Sequence, residues 1–243
     1  MNLHNRVALV TGGARRVGRA ISLGLARAGA DVALHYRSSA QDAHETASQC
    51  RALGVAADVF LADLADPAAC ESLVARVIER FGRLDVLVNN ASEFEPMSLD
   101  DFRIVDWERT LRVNLTAPVV LAHAARAQLR ANRGRIVNLC DTLTARPPGS
   151  HLAYIASKGA LDTVTRALAR DLAPEVNVVG VAPGVADWPP DYSAELRRRI
   201  TDRIPLRRAG TPDDIAAAVV YLVTAGDYVT GAILAVDGGF ACG

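Results

Sequence analysis

Cysteine, aromatic side chains and an excess of charge of either sign are all in short supply in this chain. Four of its 243 residues are cysteine, namely Cys50, Cys70, Cys140 and Cys242. None forms a CxxC pair or stands at metal-ligand spacing to a histidine, so no redox or zinc motif is present. Reduced thiols are expected, as in a cytoplasmic protein. Lysine and arginine total 27 and are matched by 27 aspartates and glutamates. The basic excess that a nucleic acid or an anionic membrane would demand is missing. After the polar segment Met1–Arg6 the apolar run Val7–Val10 stops at Thr11. That run is too short for a signal-peptide core, and none approaches the roughly 18 residues of a membrane span.

What is present is a 50% hydrophobic chain in which short apolar runs alternate with longer helical patterns. Strands are expected at Arg6–Val10, Asp31–Tyr36, Val55–Leu61, Leu84–Val88, Arg135–Leu139, Val176–Val181 and Ala232–Val236. Helices are expected at Val17–Ala28, Ala40–Leu53, after Pro67, at about Trp107–Arg130, at Leu152–Leu172 and after the Thr211 cap with Pro212. Near-continuous apolar strands separated by helices indicate a parallel sheet covered on both faces. The expectation is an α/β fold: one Rossmann-like, doubly wound domain over 1–243 with about seven strands. Gly184–Pro205, with Trp188, Pro189 and Pro190, breaks the alternation. It is either a loop that covers a substrate or a surface insertion.

Directly after the first strand come Thr11-Gly12-Gly13-Ala14-Arg15-Arg16-Val17-Gly18, opening a helix. Glycines let backbone approach a pyrophosphate, and the helix N-terminus offers free N–H groups and a positive dipole end. After the second strand, Tyr36 is followed by Arg37 and Ser38, where an NAD site usually carries an acid. A basic residue and hydroxyls suit a 2′-phosphate, so the expected cofactor is NADPH/NADP. Asp63, next to Leu64, either accepts from the adenine amine or caps the next helix. Asn89-Asn90-Ala91-Ser92 follows the fourth strand, with amides and a hydroxyl for cofactor and neighbouring backbone.

Tyr154 and Lys158 are four apart and share a helix face. A free phenol is a poor proton donor at neutral pH, and a nearby ammonium lowers its pKa. Beside a nicotinamide such a pair can protonate the atom that develops charge as hydride arrives.

With these pieces in place the chain resembles the short-chain dehydrogenase/reductases along nearly its whole length. The matching residues are the glycine turn, Asn89-Asn90-Ala91, Asn114, Tyr154-x-x-x-Lys158, Pro183-Gly184 and Val236-Asp237-Gly238-Gly239. The resemblance implies that Tyr154 is the general acid, that Lys158 holds the nicotinamide ribose and tunes Tyr154, and that Asn114 positions a water. It also implies a homotetramer. Two positions depart from the common pattern: Asp141 stands where most members have serine, and Arg16 stands where a third glycine is usual. Both departures, with His35-Tyr36-Arg37-Ser38, Ser92-Glu93-Phe94 and Pro189-Pro190, resemble the pteridine reductase branch. There Phe94 would stack on the pterin ring, Arg16 and Ser92 would lie against cofactor phosphate and substrate, and Asp141 with Tyr154 would manage the protons.

The residue chemistry points the same way. An ionised carboxylate is acceptor-only, so Asp141 cannot steady an oxyanion as a serine can. It can accept from the N–H groups of a pterin, and it opposes Lys158 by keeping Tyr154 protonated. Asp141 is alternatively itself protonated, the two groups titrating as a pair. Trp188 either lines the pocket or packs the loop, and the charged run Arg197–Arg199 reads as a solvated helix face. The expected activity is NADPH-dependent pterin reduction. A carbonyl or 3-oxoacyl reductase and a non-catalytic NADP(H)-binding protein are the alternatives.

Overall fold

The computed structural model describes residues 1–188 and 192–242. Pro189 and Pro190 lie outside the described residues. Seven strands form one parallel sheet in the order β3-β2-β1-β4-β5-β6-β7. They are β1 (Val7–Val10), β2 (Asp31–Tyr36), β3 (Ala57–Leu61), β4 (Val86–Asn89), β5 (Arg135–Leu139), β6 (Asn177–Pro183) and β7 (Ile233–Val236). Val10 pairs with Leu34 on one side and Val88 on the other. The strand order therefore reverses at β1 and β4, where open α/β sheets form a crevice beyond the strand ends.

Helices cover both faces. The first layer is α1 (Arg16–Arg27), α2 (Ala40–Ala52) and α8 (Pro212–Thr224), whose Ile21, Leu25, Ala47, Val219 and Leu222 share one core with alternate strand residues. The second layer is α3 (Pro67–Phe81), α5 (Ala117–Asn132) and α6 (Leu152–Asp171), which bury Leu73, Val77, Leu121, Leu129 and Ala169 in another. Each fully buried leucine or isoleucine contributes about 2 kcal/mol relative to exposure. Helix starts follow side-chain chemistry. Asp66 accepts from the Ala68 amide ahead of Pro67, and Thr211 and Asp214 form a reciprocal capping box around Pro212. Gly82, at φ +76°, ends α3 in the left-handed conformation that glycine adopts without strain.

At the amino ends of the strands, the fully buried carboxylate of Asp85 accepts from Arg6 at 2.6 Å, from Arg83 twice at 2.7 Å and from the Val7 amide at 2.9 Å. Burial pushes this carboxyl up, but the guanidiniums and the amide outweigh it and leave the pKa below its usual value.

Two expectations change. The continuous helix over Trp107–Arg130 is α4 (Ile104–Leu111), a π-helical turn at Arg112–Thr116, and α5. The wide turn places Asn114 inside the protein, and such bulges recur at functional sites. Gly184–Pro205 is not wholly a loop, because α7 (Ala194–Thr201) forms within it, capped by the Ser193 hydroxyl. Among the described residues no helix is long and apolar enough to cross a membrane, and no group of three or more potential metal ligands occurs.

Candidate active site

A cavity of about 750 Å³ lies over the carboxyl ends of β1 to β6. The residues that the sequence assigns to cofactor or substrate line it, except Asn89, Asn114 and Lys158, which are buried behind its wall.

At one side runs the glycine turn. Gly12 sits at φ +60°. A Cβ on Gly18 would lie 2.0 Å from the Gly12 carbonyl oxygen, so no larger residue fits that contact. Asn90 secures the turn, its Nδ2 donating to the carbonyls of Thr11 at 2.8 Å and Gly12 at 3.2 Å. Asn89 turns the other way. Its Nδ2 donates to Asn138 at 2.8 Å, and Asn138 donates to Thr165 at 2.8 Å, tying α6 to the sheet. The α1 N-terminus carries no side-chain cap and no acid in its first turn, so its amides and positive dipole end are free for an anion. Arg16, at φ +50°, occupies a left-handed conformation that usually calls for glycine. Its guanidinium pairs with Asp187 at 2.6 Å across the cavity rim, while Arg15 lies 3.7 Å from Asp42.

His35, which sequence reasoning did not assign, holds the turn from below. Its Nδ1 accepts from the Gly12 amide at 3.0 Å and its Nε2 donates to the Ala62 carbonyl at 3.1 Å. Those partners require the neutral ring, and burial lowers its pKa from 6.5 to about 4.

Beyond β2, Arg37 and Ser38 line the far end of the cavity. Arg37 donates to Glu93, a residue that sequence reasoning also left without a role. Asp63 does not cap α3, since that position belongs to Asp66. The Asp63 carboxylate accepts from Ala65 at 3.0 Å and from Arg109 at 3.3 and 3.4 Å. The backbone amide of Ala65, then Arg109, holds its pKa below normal.

The chemical end is built on α6 and the segment after β5. The Tyr154 hydroxyl donates to Asp141 Oδ2, and Asp141 Oδ1 accepts from the Leu143 amide at 2.7 Å. Asp141 thus also caps the short 3-10 turn Thr142–Ala145 while lining the cavity. Lys158, 3% exposed, donates to the Leu139 carbonyl at 2.6 Å and lies 5.6 Å from the Tyr154 ring centre.

Burial and then Asp141 push the Tyr154 phenol well above its ordinary value. This runs opposite to the lowering expected from Lys158 alone, because burial and the Asp141 carboxyl outweigh the ammonium, which donates to the Leu139 carbonyl. Burial also pushes the Asp141 carboxyl up, against the Tyr154 hydroxyl, the Leu143 amide and Lys158. The pair therefore faces the cavity with its shared proton in place.

Asn114 spends its side chain on the framework. Its Oδ1 accepts from the Glu93 amide at 2.8 Å, and its Nδ2 donates to the Glu93 carbonyl at 2.9 Å and to Ser157 at 3.1 Å. Both Nδ2 protons of Asn114 are thus taken within the framework. Phe94 is 43% exposed, as expected of a loop aromatic. Its ring stacks on His151 at 4.2 Å and meets the Tyr154 ring edge-on at 4.6 Å. His151, adjacent to the Leu152 start of α6, had no partner in the sequence reading. Trp188 lines the cavity and also packs 6.2 Å from Tyr192, and Arg197 lies over its ring at 5.8 Å. The Arg197–Arg199 run is thus not solvated throughout.

Gly184, after β6, abuts the Asp237 backbone, where a Cβ would come within 2.9 Å of the Asp237 Cα. Asp237 in turn accepts from the amides of Gly239 and Ala241. The terminal Val236-Asp237-Gly238-Gly239 stretch thereby braces the cavity wall.

Residues 12–241 match a family model described as enoyl-(acyl carrier protein) reductase. A 3-oxoacyl-[acyl-carrier-protein] reductase of Staphylococcus aureus is 35% identical, over 96% of each chain. A short chain dehydrogenase from Burkholderia cenocepacia, solved in complex with NADP, superposes with TM-score 0.93 at 41% identity over the whole of both chains. A blue fluorescent protein from a metagenomic library, solved in complex with NADPH, gives TM-score 0.93 at 40% identity, covering 99% of this chain and 100% of that one. A glycine turn at the sheet's switch point, a Tyr-Lys pair on one helix beside it and likeness along the full length converge: the chain belongs to the short-chain dehydrogenase/reductase family.

Proposed function

We propose that this oxidoreductase uses NADPH to reduce a pterin, taking a dihydropterin to the tetrahydro form. The single observation that carries the reading is the Asp141 carboxyl lining the cavity as hydrogen-bond partner of the Tyr154 hydroxyl. An acceptor-only group at that place repels the oxyanion of a ketone in reduction but receives the ring and exocyclic N–H groups of a pterin.

The residues fit the cofactor. The Gly12–Gly18 contact leaves a cradle that a side chain would fill, and the uncapped α1 N-terminus suits a pyrophosphate. Arg37 and Ser38 supply donors for a 2′-phosphate. When bound, NADPH supplies the hydride. Tyr154 gives its Oη proton to the ring nitrogen beside the carbon that is reduced. Its raised pKa keeps that proton on the phenol until negative charge develops. Asp141 Oδ2, already in contact, is the group through which a proton returns to Tyr154. Phe94 offers an aromatic face for a flat heterocycle, its ring steadied by His151 and Tyr154. Lys158 holds the back of the site together through Leu139. The oligomer we propose is the homotetramer usual in the family.

The test is NADPH oxidation by the purified protein with dihydrobiopterin, dihydromonapterin and 3-oxoacyl thioesters. Faster turnover of either pterin is the expected result. Brisk turnover of thioesters with none of pterins would reject the reading. It would favour the second one, carbonyl reduction, which the likeness to the staphylococcal reductase supports.

A further inference from the structure

Glu93 lines the cavity, and the chemistry proposed above does not use its carboxylate. Its side chain is only 15% exposed. Oε1 accepts from Arg37 and also from Arg109 Nε at 3.0 Å. Arg109 spans onward to Asp63. Arg37, Glu93, Arg109 and Asp63 thus form a row of alternating sign with no net charge. Its main chain is anchored, the amide and carbonyl both held by the buried Asn114, and the two guanidiniums hold the carboxylate in the row.

The row is lopsided. Glu93 keeps a partner in Arg109 if Arg37 leaves, whereas Arg37 is half exposed at the cavity rim. Its other donors, Nε and Nη2, hold no partner among the described residues. An incoming dianionic phosphate therefore meets a guanidinium that is already neutralised, with a fixed carboxylate beside it. A ligand without that phosphate displaces nothing.

We propose that Glu93 is a placeholder for the cofactor's 2′-phosphate. It holds Arg37 in the free protein, yields it when NADPH binds, and stays paired with Arg109. It thereby restrains the preference for NADPH over NADH and makes the site tolerant of both. The proposal rests on the reading of Arg37 and Ser38 as the 2′-phosphate site.

Calorimetric titration with NADPH and with NADH tests this without turnover, using the wild type, Glu93→Gln, Arg37→Ala and the double variant. Glutamine keeps the shape and the main-chain bonds to Asn114 while removing the charge. Glu93→Gln should bind NADPH about tenfold tighter, with NADH changed by less than about twofold, as expected when one like charge beside a phosphate is removed. The gain should vanish in the Arg37→Ala background, because the two residues act through one contact. Glu93→Ala, for which the same sign is expected, serves if the glutamine variant does not fold. If Arg37→Ala leaves NADPH affinity unchanged, the phosphate reading itself has failed and takes the placeholder with it. If Arg37→Ala weakens NADPH but removing the Glu93 charge leaves the NADPH/NADH ratio unchanged or lowers it, the placeholder alone is overturned.

Discussion

Replacing His35 with asparagine should remove a specific part of the protein's acid sensitivity. The ring accepts from Gly12 and donates to Ala62, so only the neutral form satisfies both contacts. Burial sets its folded pKa at about 4, against 6.5 for the free side chain. Above pH 6.5 neither state is protonated and the residue imposes no pH dependence. As pH falls below 6.5 the unfolded chain takes a proton that the folded one refuses, so stability is lost until the folded ring also titrates near pH 4. The whole interval amounts to about 3 kcal/mol, of which roughly 2 kcal/mol falls between pH 7 and pH 5. Urea unfolding of the wild type and His35→Asn at these two pH values isolates the contribution, because the carboxylates common to both cancel in the difference. The wild type should lose about 2 kcal/mol more than the variant on going to pH 5. At pH 7 the variant itself should be weaker by about 1–3 kcal/mol, since the Gly12 amide or the Ala62 carbonyl loses its partner. An identical loss with pH in both proteins would refute the argument that a buried neutral histidine holds the glycine turn.

Lys158 is the only lysine in the sequence, so its ammonium can be followed by NMR as a single isotope-labelled signal. It should titrate below the usual lysine value because it is buried; titration at or above that value would show that the neighbouring acids, Asp141 first, outweigh its burial. Gly18→Ala should abolish measurable NADPH binding in a folded protein, since its Cβ would meet the Gly12 carbonyl oxygen; wild-type affinity would mean that the turn yields freely. Asp85→Ala should destabilise the chain by about 1–3 kcal/mol, chiefly by leaving the buried Val7 amide without its acceptor, since Arg6 and Arg83 are about one-third exposed. Cofactor affinity should stay unchanged in the folded fraction, because Asp85 sits at the opposite end of the strands; a loss below about 1 kcal/mol in denaturant titration would remove its anchoring role.

Much of this architecture is legible from local pattern alone. Asp31–Tyr36 and Arg135–Leu139 are largely apolar strands whose bounds match the expectation, and Pro67 and Pro212 mark helix starts. Two elements resisted for identifiable reasons. Trp107, Leu111 and Leu115 keep helical i, i+4 spacing into the turn, so nothing local announces the π turn that swings Asn114 inward. Helix α7 buries none of its residues and carries three arginines in a row, so it shows no apolar stripe to read.

At the site, sequence spacing brings Tyr154 and Lys158 together and marks Asp141 as unusual. It gives two opposing pulls on Tyr154, Lys158 downward and Asp141 upward, but not the burial, a property of the whole fold, that adds most to the upward side. Glu93, His35 and His151 were missed because their partners are other strands and loops. Arg37 lies 56 residues from Glu93, and Gly12 lies 23 from His35. The one local signal was a histidine in an otherwise apolar strand.

The proposed substrate choice rests on the carboxylic acid at position 141, and its most direct measurement is the ratio of pterin to 3-oxoacyl kcat/KM in the wild type and in Asp141→Ser. A serine can donate to an oxyanion and no longer accepts as a carboxylate does. The ratio should fall by at least about tenfold, the scale expected when a polar contact to substrate is lost. A ratio left unchanged by the substitution would contradict the claim that this acid selects a nitrogen heterocycle.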